Sequence, residues 1–211
     1  MNGNNTFIKK DKLIYIVSLL ITGMVLCTFF YYLDRSIVLS LRAFDYNQSF
    51  VGKSLEMIDP VVDFLSYGMT LLIFSILLCV IGRFGNIRLY ESGKLLIVGF
   101  LSSGLVAQIL KYSIGRARPR LTSVTIFNGL SMGDDYHSFP SGHATEAFCF
   151  AYILSHFFPR YYVIFYFIAC LVGFERVEDL KHFPSDVLAG ALIGIIIGRI
   201  LIALKNHKAS N

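Results

Sequence analysis

Six apolar runs divide the chain, separated by short polar stretches and one long polar loop. Leu13 to Leu33 holds 21 residues without a charge, and at ~1.5 Å per residue a helix of that length reaches about 31 Å, enough for a bilayer core. Phe64 to Gly82 and Lys94 to Leu110 follow, then Ala144 to Phe158, the short aromatic-rich Tyr161 to Phe174, and Val187 to Leu204. With their polar ends included, the runs predict helices over about 13–33, 64–82, 94–111, 143–158, 161–175 and 184–204. The expected fold class is all-α: a six-transmembrane-helix bundle with short extramembrane amphipathic segments, one membrane-embedded domain over 1–211.

The segments between the runs refine that picture. Lys9, Lys10 and Lys12 precede the first run, as in a signal peptide. The run is longer than a usual signal core and no small-x-small cleavage pattern follows it, so an uncleaved first span is expected. From Asp34 to Asp63, Leu39, Leu41, Phe44, Phe50, Leu55 and Met57 sit among charges. Such a segment suits short helices lying on the bilayer, either as a rim for lipid entry or as a packed cap. Residues 112–142 form the long polar loop. In the last run Asp186, Gly190, Gly194 and Gly198 recur every four residues and share one helix face. The glycines suit close helix packing, and the carboxylate on that face should look into the bundle.

Composition agrees. Charged residues make up 16% and hydrophobic ones 55% of 211 residues, against roughly 25% charged in a soluble domain. The net charge of +5 comes without a long basic run, which argues against nucleic acid as a partner. Cys27, Cys79, Cys149 and Cys170 all lie in apolar runs without metal-type spacing and read as buried free thiols.

Lys and Arg set the expected orientation. Six spans would place ten of them on the side of the termini and nine on the other. Six of those nine (Lys111, Arg116, Arg118, Arg120, Arg176 and Lys181) belong to clusters with chemistry of their own. Without them the count is ten against three, so cytoplasmic termini and outward-facing clusters are expected.

Three clusters carry the candidate chemistry. Lys111 to Arg120 closes the third run with a dense set of cations, suited either to phosphate oxygens or to lipid headgroups at a membrane edge. In Pro140-Ser141-Gly142-His143, Ser141 is a good N-cap, the amides of Gly142 and His143 would point out of a helix N-terminus, and His143 can donate a proton. In the third cluster His182 and Asp186 are one helical turn apart, a spacing that lets a carboxylate hold one ring nitrogen and leave the other to attack; Arg176 can return over a short turn. A helix start at the membrane interface and interfacial ion pairs would account for the second and third clusters singly. Together they supply cations, a helix N-terminus, two histidines and one carboxylate at the same ends of the spans, with neither a nucleotide loop nor a metal constellation.

Lys111-x6-Arg118-Pro119, Pro140-Ser141-Gly142-His143 and Arg176-x5-His182-x3-Asp186 resemble the three-part signature of the type-2 phosphatidic acid phosphatase superfamily, membrane lipid phosphatases whose active site is related to that of vanadium haloperoxidases. The resemblance implies catalytic roles for His182 (nucleophile, forming a phosphohistidine), Asp186 (orienting it) and His143 (general acid, then activating water). It implies substrate binding by Lys111, Arg118, Ser141, Gly142 and Arg176, with no metal and no cofactor. The family usually has Ser before the third-motif Arg; here Glu175 stands there, either turned to a cation or at the expense of a phosphate hydrogen bond. The expected partner is a membrane phospholipid, polyprenyl or lipid A phosphate, at the outer face of a bacterial-type inner membrane. Candidates are lipid A phosphates, undecaprenyl diphosphate, phosphatidylglycerol phosphate and phosphatidate, with a lean to lipid A. A vanadate-dependent haloperoxidase and a catalytically silent lipid-binding or transport protein are the competing readings; the apolar runs oppose the first, the intact His143, His182 and Asp186 the second.

Overall fold

A computed structural model describes residues 31–44, 59–64 and 67–209, with isolated positions between 17 and 28 and at 57. About half of the predicted first span, residues 45–56 and 58 of the 34–63 segment, and Cys27 lie outside the described residues. Helical residues 31–43 (α1) and 59–64 (α2) precede α3 (Gly68–Arg83), α4 (Ile87–Ile114), α5 (Gly142–Phe157), α6 (Tyr162–Glu178) and α7 (Pro184–Ala209). Among the described residues there is no strand, only an isolated antiparallel bridge between Arg116 and Phe127 in the long loop.

The helix ends follow local chemistry. Asn86 caps α4 by accepting from Leu89 N at 3.2 Å, and Gly115 ends it in the left-handed conformation, returning its N–H to the Lys111 carbonyl. α4 therefore starts seven residues before the predicted third span. Arg88, Glu91 and Lys94 do not stop it: they lie on its first turns, with Lys94 on Glu91 at 2.6 Å. Among the described residues two helices, α4 and α7, are long and apolar enough to cross a membrane; α3, with 16 residues, is shorter, as are α5 (16) and α6 (17).

α5 is central, packed against α4, α6 and α7. Leu96, Cys149, Phe150 and Ile153 form the core, flanked by Leu71, Phe100, Ile197 and Leu201. The glycine stripe of α7 lies on α5 as expected: a Cβ at Gly194 would fall 2.2 Å from the Thr145 carbonyl oxygen, and one at Gly190 2.6 Å from that of Ser141. Small residues let the backbones touch, which is how helices gain packing where lipid offers no hydrophobic drive. Large apolar side chains face outward instead, among them Leu101, Leu105 and Ile109 of α4 and Val163, Ile164 and Phe167 of α6. Cys149 is buried as expected and Cys79 partly so; Cys170, on α6, is exposed. It lies on the outward apolar face, so an apolar run alone does not tell inside from lipid side.

One face of the described 34–63 segment packs on the bundle, while Leu39, Phe44, Met57 and Val61 face outward. Asp34 and Val38 of α1 are fully buried, and Arg42 donates to the Pro119 carbonyl of the long loop.

Candidate active site

Alternation of the helices brings the three clusters to one end. α4 and α6 finish there with Lys111 and Arg176, while α5 and α7 begin there with Ser141-Gly142-His143 and Asp186. The 115–141 loop folds back over this end. Arg118 N bonds Asp135 O (2.9 Å), Arg120 N bonds Leu180 O (3.0 Å), and Ser141 N bonds Asp186 O (3.1 Å).

Ser141 is the N-cap of α5; its hydroxyl accepts from Ala144 N. Lys111 lies directly over this turn: a Cβ on residue 142 would be 3.3 Å from Nζ. Glycine there lets an ammonium and unpaired helix amides face the same space, a combination that binds anions. His143 is within electrostatic reach of Arg176 and Lys111.

Both candidate arginines are held by one edge. Arg118 uses Nε and Nη2 on the carbonyl and carboxylate of Asp134, at 2.9 and 2.8 Å. Arg176 uses Nε and Nη2 on Glu175, and Nη2 also on Asp63. Among the described residues, Nη1 of each guanidinium makes no hydrogen bond. Glu175 is thus turned to a cation, the first of the two arrangements expected for it.

His182 is 3% exposed, and its Nδ1 lies 2.6 Å from the Ser138 carbonyl oxygen. A carbonyl only accepts, so Nδ1 carries the proton and Nε2 keeps its lone pair. Burial, reinforced by Lys111 and Arg118, holds this imidazole well below the ordinary histidine range, so it is uncharged at neutral pH. Asp186 does not hold the ring directly. Its Oδ2 is 4.0 Å from Nδ1 and instead accepts from Ser138 Oγ at 2.5 Å and Phe183 N at 2.8 Å. The expected carboxylate–imidazole bond is replaced by an indirect link through Ser138, because the main-chain carbonyl has taken the ring N–H.

Arg116 is not a headgroup contact. It is 1% exposed and bound to Asp34, Thr125, Ser185 and Asp186. Arg120 is an exposed partner of Asp134 and Asp135, and Lys181 pairs with Asp179 at 2.6 Å. Ser138, Asp34 and Ser185 were missed by sequence reasoning. Asp34 carried the one usable signal, a carboxylate at the exit of an apolar run.

A family model for the PAP2 superfamily matches residues 93–209. The chain belongs to the PAP2 superfamily. The lipid A 1-phosphatase of Rhizobium etli is 41% identical over 108 residues, covering 48% of this chain and 45% of that protein. Phosphatidylglycerophosphatase B of Bacillus subtilis is 30% identical over 116 residues, covering 50% and 54%. The aligned parts thus span about half the length of these curated relatives. A transmembrane PAP2-type phosphatidylglycerolphosphate phosphatase from Bacillus subtilis, a crystal structure, superposes with a TM-score of 0.67 at 25% identity, over 90% of this chain and 96% of that one. Aquifex aeolicus LpxE gives 0.57 at 28%, over 82% and 93%. With its outward apolar helices, this PAP2 chain is a membrane protein.

Proposed function

We propose that the chain is a metal-independent lipid phosphate phosphatase working through a phosphohistidine at His182. What carries the reading is the convergence on an uncharged, buried His182 of Lys111, Arg118 and Arg176 with the open helix start at Ser141-Gly142. Phosphate-ester hydrolysis is extremely slow unaided, and preorganised positive groups around the transferring oxygens are the natural remedy.

In this reading Lys111, Nη1 of Arg118 and Arg176, Ser141 and the Gly142 amide hold the phosphoryl oxygens. The Nε2 lone pair of His182 attacks phosphorus while the ester P–O bond breaks. The leaving oxygen takes the bond pair and a proton from His143. His143 then removes a proton from water, the water oxygen bonds phosphorus, and the N–P pair returns to Nε2, releasing inorganic phosphate. Asp186 acts on His182 through Ser138 and through its own charge.

The likeness to lipid A 1-phosphatases favours a lipid A phosphate; the fold-wide likeness to the phosphatidylglycerolphosphate phosphatase supports that lipid as a second reading. The clusters face the outer side of an inner membrane, on the ten-against-three count of cations. The test is phosphate release in detergent from lipid A, phosphatidylglycerol phosphate, undecaprenyl diphosphate and phosphatidate, with His182→Ala as blank. Release from one lipid well above the others, absent in the blank, is expected. Equal release by His182→Ala would overturn the reading.

A further inference from the structure

We infer that Asp34 and Arg116 are positioning residues for His182, acting on it through Asp186 and Ser138; the inference rests on His182 being the nucleophile.

The chain of contacts is continuous and buried. Asp34 and Arg116 are each 1% exposed and Asp186 is fully buried. Arg116 Nη2 donates to Asp34 Oδ2 at 2.8 Å and to Thr125 Oγ1 at 2.9 Å; Nη1 donates to Ser185 Oγ at 2.7 Å and to Asp186 Oδ1. Phe183 stacks 4.2 Å from the guanidinium carbon. Asp34 also accepts from Ser185 N at 3.0 Å and from its hydroxyl, so both of its oxygens are used on the first turn of α7. A planar guanidinium bridging two carboxylates fixes orientation as well as charge.

The far end of this network is Ser138, and Ser138 is fastened at three points. Its N–H donates to the Arg116 carbonyl at 3.0 Å, its hydroxyl donates to Asp186, and its carbonyl accepts the His182 ring proton. Arg116 therefore grips Ser138 twice, through its own backbone and through Asp186. Asp34 comes from α1, outside residues 93–209 matched by the family model, so the N-terminal part of the chain completes the support of the nucleophile.

Charge gives the network its function. Attack by Nε2 leaves positive charge on the imidazole, which Asp186 opposes from 4.0 Å. Arg116 alone would cancel that carboxylate. Asp34 occupies the other edge of the guanidinium, so two carboxylates share one cation and the cluster stays negative toward the ring. His182 meanwhile faces the positive charges of Lys111 from α4 and Arg118 from the loop, His143 from α5, and Asp186 from α7. With Asp34 neutralised, the balance around the imidazole becomes too positive for its own phosphorylation.

The test uses the full-length chain in detergent, with the lipid cleaved best by wild type. Asp34→Asn should lower kcat by roughly 10- to 100-fold, the size of loss seen when the hydrogen-bond partners behind metal-ligating histidines are removed. KM should stay within about twofold, since the phosphate cradle is untouched, and the acid limb of the pH profile should move to lower pH. Asp34→Glu should recover part of kcat. Ser185→Ala, which removes one hydroxyl without changing charge, should show a smaller kcat loss and serves if Asp34→Asn fails to fold. The 15N resonances of His182 in ligand-free protein read the same support without turnover: one Nδ1–H tautomer in wild type, a mixture of tautomers in the variant. Wild-type kcat and an unmixed tautomer in folded variants would overturn the inference. No phosphate release from any lipid by wild type, together with the tautomer change in Asp34→Asn, would sink the phosphatase reading and leave the network standing.

Discussion

Replacing Glu175 by the serine usual in this family should make the site bind phosphate-like anions more tightly. In the structure Glu175 is 2% exposed and accepts from both Nε and Nη2 of Arg176, so a phosphate bound at Arg176, as proposed, would find one guanidinium edge already taken by a buried carboxylate. A hydrogen bond to a charged group contributes about 1.5–3 kcal/mol net. Asp63, half exposed on the same Nη2, would take up part of the freed capacity in Glu175→Ser. If roughly 1.4 kcal/mol of it reaches the ligand, affinity rises about tenfold. The assay is competitive inhibition of phosphate release by orthovanadate, which adopts the five-coordinate shape of the transferring phosphoryl group. Asp63→Asn is the companion variant, with a smaller gain because its carboxylate is already in water. Unchanged or weaker inhibition in a folded Glu175→Ser protein would refute the reasoning and show that Glu175 holds Arg176 in place rather than competing for it.

Three further outcomes are expected. Gly194→Ala puts a methyl group 2.2 Å from the Thr145 carbonyl oxygen and 2.9 Å from Cys149 N; it should cost about 1–3 kcal/mol and lower the thermal midpoint in detergent, and an unchanged midpoint would contradict the α5–α7 contact. His182 resists protonation in the fold, whereas the unfolded chain takes the proton near the ordinary value of 6.5. Stability should therefore be highest above that pH and fall below it, with a shallower fall in His182→Gln; parallel midpoint curves would contradict this. EDTA should leave phosphate release unchanged, and loss restored by Mg²⁺ would refute the metal-independent mechanism.

The helix face Asp186-Gly190-Gly194-Gly198 was legible because period four is a property of one helix, and α5 is found against it. The convergence of Lys111, His143, Arg176 and His182 was legible for a related reason: alternating helices must bring every second end together. The limits of α4 were not, since Arg88, Glu91 and Lys94 resemble loop residues until the Glu91–Lys94 pair and the Asn86 cap are seen. Nor is α5, with 16 residues, as long as the α4 and α7 helices that pass for spans. The deeper miss concerns pairing. Asp34 and Arg116 lie 82 residues apart in the chain, and the partner of His182 is a main-chain carbonyl 44 residues away. A carbonyl has no identity in a sequence, and the spacing of His182 and Asp186 made the carboxylate look like the direct partner. The role of Arg116 was hidden for the same reason: among the alternating Arg116, Arg118 and Arg120, only burial marks the structural one.

The most direct measurement is to quench turnover of a lipid labelled with 32P on its terminal phosphate and map any protein-bound label. An acid-labile, alkali-stable phosphoenzyme on His182, absent in His182→Ala, is expected. Label found elsewhere, or retained in His182→Ala, would contradict it.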